Sequence, residues 1–394
     1  MNKRILTAMV AWLLVVAAHA NDGVYYVSGN QIVPLQEADI AVTKEVLTIT
    51  IGDDDGTVAF HNPALISNVQ YEFTNRGKAK TIDVGFEATA PYEPGSESNF
   101  SKAGQHPDIF DFTVEMNGTK LPIRNYVMRE SGEENPADFT PLDLNVWQGP
   151  TANDEWTSLT NKNTDETILF SYAYCFKAAF KEGKNTVHHT YRYRISNGVY
   201  QTFNVPYWLM PAMRWANHQI DDFTLRIKVE KTAKQFCIEG DEMWKASQWR
   251  VTEGAGKVHT LKSDVGSEYY EFSLRNGTVE WHSANFRPTS NFNIFSAESL
   301  LFYRSDFKIG RFYDRGTIWL CPGDPADQLK GSTDGIANKR ILRNLPYASR
   351  GYVFKDAQLK AYFTKLWWYM PDPSWQQDTS DFTELEWKLV NSNK

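Results

Sequence analysis

Few residues in this chain have a type and spacing that spell out chemistry. His188-His189 is the one adjacent histidine pair. Neighbouring side chains on a strand point to opposite faces, so the two imidazoles do not converge on one metal. His189 shares its face with Val187, Tyr191 and Tyr193 and is expected to pack inside the fold. His282, beside Trp281, and His218, near Trp215, stand alone. Asp53-Asp54-Asp55-Gly56 gathers oxygen ligands, but an EF-hand alternates its carboxylates and closes with a bidentate Glu. That spacing is absent, which leaves a solvated interstrand loop or an irregular calcium site. There is no HExxH, GxSxG, CxxC, P-loop or dinucleotide fingerprint, so no cofactor or catalytic metal is expected. A catalytic triad or carboxylate pair would have to assemble from distant strands.

The tail is richer. Tyr347, Tyr352, Trp367, Trp368, Tyr369 and Trp375 fall within about thirty residues, with Arg343 and Arg350 among them. Indole and phenol faces stack on the apolar faces of sugar rings, and arginine forks grip carboxylates. The same rings are what a small helical unit needs to fill its core, and the arginines have aspartates nearby to pair with. Both readings stand at this point.

Those residues need elements to hold them. The chain has 394 residues, 42% hydrophobic and 14% aromatic, enough to bury sizeable cores in two or three domains. Its formal charge of −7 argues against nucleic acid, which needs a net basic face. Lys3 and Arg4, the apolar run Ile5 to Ala18 and Ala18-His19-Ala20 read as a secretory signal over residues 1–20. No later stretch is long enough to span a bilayer, so export without a transmembrane segment is expected. Cys175, Cys237 and Cys321 leave room for one disulfide and one spare thiol, with every pairing open.

Most of the chain alternates at period two. Leu47, Ile49 and Ile51 share a face, as do Val69, Tyr71 and Phe73. Asn75-Arg76-Gly77 then offers a turn before Ile82, Val84, Phe86 and Ala88, which predicts an antiparallel hairpin. Phe110 to Met116 runs into Asn117-Gly118, and Tyr270 to Leu274 into Asn276-Gly277, both hairpin-turn dipeptides. Phe223, Leu225, Ile227 and Val229 alternate as well. Short strands between turn signals predict a mainly β fold of one or two antiparallel sandwiches over residues 21–155 and 156–320. Asn21-Asp22-Gly23, Val69 to Asn75, Gly183 to Tyr191 and Tyr207 to Ala212 occur in an order that resembles a family of secreted bacterial proteins defined only as a domain of unknown function. That resemblance implies export and a β-rich fold and brings no activity.

After Cys321 the period changes. Residues 321–335 are rich in Gly, Pro and Asp and read as a linker, followed by a small all-α domain over 336–394. Its first helix includes Arg340 and Arg343 and ends at Gly351. The second is capped by Asp356 and buries Leu359, Tyr362, Phe363 and Leu366. The third opens on an Asp381/Glu384 capping box and buries Phe382, Leu385 and Leu389. The aromatics, Trp387 included, would fill the core. Leu342 to Asp356, then Leu359, Tyr362-Phe363, Trp368-Tyr369 and Pro371-Asp372-Pro373, resemble the YARHG domain. The likeness implies an extracellular bacterial module, often appended to envelope proteins or peptidases, with no settled ligand and cell-wall recognition as the usual guess. Where the name motif has Arg-His after Tyr-Ala, this chain has Ser349-Arg350, so an imidazole role is absent while a cation is kept.

The expectation is a periplasmic or secreted, non-catalytic envelope protein. Its tail would bind a cell-wall or surface glycan, or another envelope protein, through residues drawn from Arg343, Tyr347, Arg350, Tyr352, Trp367, Trp368, Tyr369 and Trp375. The rivals are an envelope hydrolase or its substrate-binding accessory, and a structural partner in assembly.

Overall fold

The computed structural model describes residues 29–30, 33–34, 37–52, 64–90, 101–130, 139–149, 158–194, 196–198, 201–240, 243–244, 248–262, 267–296, 310 and 330–391. The proposed signal, the Asp53 to Gly56 loop and Cys321 lie outside them. Cys175 and Cys237 are both buried and form no disulfide with each other.

Among the described residues the strands of five residues or more are β1 (Ile40–Ile51), β2 (Ala64–Asn75), β3 (Lys80–Thr89), β4 (Ile109–Met116), β5 (Arg124–Arg129), β6 (Thr167–Phe180), β7 (Gly183–Arg194), β8 (Gln201–Trp208), β9 (Ile220–Gly240), β10 (Trp249–Lys262), β11 (Glu268–Phe286) and β12 (Phe292–Ser296). The fold is mainly β with a small helical C-terminal part, as the periodicity predicts. One layer runs β10, β11, β9, β1, β2, β7, β4; the other includes β3, β6 and β5, with β8 and β12 paired beside them. Pairing is antiparallel except where β1 meets β9 and Gly29–Asn30 meets β8. The 21-residue β9 joins the layers, with its first half beside β1 and Phe236–Ile238 beside β12.

Alternation fixed the faces correctly. Leu47, Ile49, Val69, Phe73, Phe86, Phe223, Leu225, Ile227 and Phe272 are all at most 1% exposed and belong to one continuous core. Burying each such side chain stabilises the fold by about 1.5–3 kcal/mol. Strands from both sides of residue 155 pair with one another, as β2 does with β7 and β3 with β6.

Two turn readings resolve differently. Asn117 and Gly118, with φ of 52° and 81°, do close a tight hairpin onto Thr119–Lys120. The predicted β2–β3 hairpin is not one: β3 pairs with β6, and β2 with β1 and β7. The Asn75 to Lys78 turn instead carries the chain from one layer to the other. The apolar faces of β2 and β3 therefore both look into the core, Phe73 against Phe180 and Phe86 against Tyr191. Nor does Asn276-Gly277 end a strand, since β11 runs through it. The positive φ of Asn276 serves bulges at which the β9 and β10 registers shift.

Candidate functional site

In the tail, α1 (Asn338–Ser349), α2 (Ala357–Thr364) and α3 (Glu384–Asn391) surround a second core of Ile341, Leu342, Leu345, Phe354, Phe363 and Trp368. Asp356 caps α2 as expected, accepting from the amides of Gln358 and Leu359. The Leu359 amide foremost, with Arg340 beside it, holds that carboxyl below its usual range. The capping box of α3 sits two residues later than predicted. The Thr383 amide donates to Glu386, and the Glu386 amide donates to the Thr383 hydroxyl at 3.1 Å. Asp381 instead serves Arg350.

The predicted site residues divide into three groups. Arg350, Trp368 and Tyr369 are internal. The Trp368 indole donates to the Gly310 carbonyl at 2.8 Å, and the Tyr369 hydroxyl donates to the Tyr352 carbonyl. Arg350 is 8% exposed and spends all five N–H donors on Glu386, Asp381 and the Pro346 carbonyl. Its guanidinium also lies 4.2 Å above the Phe382 ring. In place of the motif's Arg-His, Ser349 donates to the Pro346 carbonyl and is buried.

A second group faces the β layers. Trp367 stacks on His259 at 5.5 Å, and that imidazole lies 2.8 Å from Glu271. Lys257 donates to the Tyr369 carbonyl and Arg275 to the Met370 carbonyl, both at 2.8 Å, with Asp372 at 3.6 Å from Arg275. The tail's Trp-Trp-Tyr-Met-Pro-Asp stretch therefore docks onto β10 and β11. None of these four β-region side chains was singled out from sequence, because two of them meet backbone carbonyls about a hundred residues away. Gly351, at φ +92°, ends α1 and also lets Arg275 pass, since a Cβ there would lie 2.5 Å from its guanidinium. Gly351→Ala is expected to cost about 2 kcal/mol, read by denaturant unfolding. An unchanged midpoint would show that neither constraint matters.

The third group faces outward. Tyr347, Tyr352 and Trp375 are half-buried, and their rings form a triangle with centroids 6.2, 6.4 and 6.1 Å apart. Phe382 lies 5.2 Å from Tyr347 and 5.2 Å from Trp387, extending the row. Trp387, expected in the core, is 39% exposed at its end. Four separate chain segments thus bring rings to one surface. Arg343 precedes Tyr347 by one helical turn and is half-buried.

Residues 325–394 match the YARHG domain family. The helical module is similar to this family. The match begins inside the stretch expected to be linker. For the chain as a whole, a candidate nutrient binding protein from Legionella pneumophila overlays with a TM-score of 0.53 at 17% identity, covering 95% of this chain and 100% of that one. At that identity the likeness speaks for the fold alone. An M1 zinc metallopeptidase from Deinococcus radiodurans overlays with a TM-score of only 0.24 at 10% identity, covering 62% of this chain and 43% of that one. No curated protein matches the chain.

The β layers offer less than the helical module. His189 is fully buried among Tyr71, Phe86, Phe112 and Tyr191, with neither ring nitrogen hydrogen-bonded among the described residues. His188 points outward and meets Asn68 at 3.1 Å. His282 is not isolated: it lies 2.7 Å from Asp222, which also pairs with Lys44 at 3.2 Å. No Ser, Cys or Thr side chain hydrogen-bonds either histidine among the described residues. Nor do three or more His, Cys, Asp or Glu side chains gather there to hold a metal. No helix of the described residues is long and apolar enough to cross a membrane.

Proposed function

We propose that this chain is an exported bacterial envelope protein that binds rather than turns over its ligand, and that its YARHG domain holds a cell-wall or surface glycan. The observation that carries this reading is the outward row of Tyr347, Tyr352, Trp375 and Trp387. A small domain that already buries Trp368, Tyr369, Phe354 and Phe363 has its core filled without them. Half-exposed rings held edge to face by one another offer rigid apolar faces at little entropic cost. Sugar rings present matching apolar faces. The β layers, in the same reading, belong with the secreted proteins of unknown function that residues 21–290 resemble, and act as the scaffold beneath the domain.

The test is retention of the full chain on isolated peptidoglycan and on other envelope fractions. Trp375→Ala and Tyr347→Ala should each weaken retention roughly tenfold, the loss of one well-placed aromatic contact. Failure of the intact protein to bind any envelope fraction removes the proposal.

A further inference from the structure

The aromatic row has a charged border. Lys339, Arg343 and Tyr347 recur every fourth residue along α1 and so lie on one stripe, spanning roughly 12 Å and ending at the centre of the row. The YARHG domain has three arginines among its described residues, and two are committed. Arg340 pairs with Asp356 at 2.6 Å, and Arg350 is enclosed by Glu386 and Asp381. Arg343 makes no ion pair or hydrogen bond among the described residues, and neither does Lys339. The domain's other carboxylates near a cation are taken: Asp334 by Lys365 and Glu384 by Lys388. Among the described residues no carboxylate pairs with this stripe, although the chain as a whole is acidic at −7.

Resting on the glycan reading above, we infer that the stripe selects a glycan strand whose sugars carry carboxylates. One sugar face lies on Tyr347 and Trp375 while a neighbouring carboxylate meets Arg343, with Lys339 adding attraction one turn away. Arg343 suits this task because its planar fork accepts both carboxylate oxygens at once. It is half-buried one helical turn from Tyr347, so less of its charge is screened by water than at an exposed site.

The experiment compares two probes on the full chain by calorimetry: a GlcNAc–MurNAc tetrasaccharide freed of its peptides, whose lactyl groups are carboxylates, and the neutral chitotetraose. The acidic sugar should bind at least tenfold more tightly in low salt, and the preference should shrink in 0.5 M NaCl. Arg343→Ala should bring the two affinities to within about twofold of each other while leaving chitotetraose binding in place. Arg343→Lys should restore part of the preference, which a merely structural role would not do. Equal affinities in the native protein, or a preference that survives Arg343→Ala, overturn the selection and leave the aromatic platform standing. Binding of neither sugar overturns both.

Discussion

Replacing Arg350 with alanine is expected to destabilise the helical C-terminal module by about 3–5 kcal/mol, the cost of leaving a buried charge without its partner. Glu386 is fully buried and its two oxygens take one guanidinium nitrogen each, at 2.9 Å. The same carboxylate accepts the Thr383 amide that starts α3. Arg350 ties that helix to the Pro346 carbonyl in α1 at 2.8 Å, so one side chain links the first and last helices. Burial works against the cation, but Glu386 and Asp381 outweigh it and raise its pKa further. Urea unfolding followed by tryptophan fluorescence reads the effect. Arg350→Met with Glu386→Leu removes both charges and should recover most of the loss, because a buried pair is worth little more than an apolar one of similar volume. A loss under 1 kcal/mol for Arg350→Ala would show that the network is dispensable.

How much of this could be read in advance depends on whether the partner is local. The faces of β1, β2 and β9 were legible because a two-residue period dictates which side chains are buried. Their neighbours were not: alternation says which way Phe73 and Phe86 point, and nothing about whether β3 lies beside β2 or across the core from it. Asn276-Gly277 misled because a positive φ suits a bulge as well as a turn. Asp356 and Gly351 were legible because caps act within four residues. Trp368 and Trp375 are the same residue type seven positions apart, and only tertiary geometry sends one to the Gly310 carbonyl and the other to the surface. Arg343 and Tyr347 stand in the sequence as separate candidates, and their place one turn apart on α1 comes from the structure. Arg350, the other cation weighed for the site, proved internal because its partners Asp381 and Glu386 lie thirty residues or more downstream.

Acid should unfold this protein through two histidines rather than through its surface ion pairs. Burial holds His189 neutral, with the neighbouring His188 adding to the effect, and moves its pKa down to about 3. Burial likewise lowers His106 to about 4, against the hydrogen bond it makes to the Thr89 carbonyl. Both folded values lie below the unfolded value of 6.5, so the unfolded chain binds protons that the native state refuses. The stability is fully present above pH 6.5 and is lost as pH falls, by roughly 3 kcal/mol per histidine at pH 4. Glu130 works the other way. Burial foremost, with Glu87, raises it to about 7, so its protonation favours the fold between pH 7 and its ordinary value of 4.5, by an amount that partial solvent access reduces. His189→Phe separates these contributions, because a phenyl ring fits among Tyr71, Phe112 and Tyr191 and cannot titrate. The variant's stability relative to the native protein should improve by about 3 kcal/mol between pH 7.5 and pH 4, measured by urea unfolding at each pH. A difference that does not change with pH would mean that His189 takes up its proton inside the fold, and that water or a rearranged strand reaches it there.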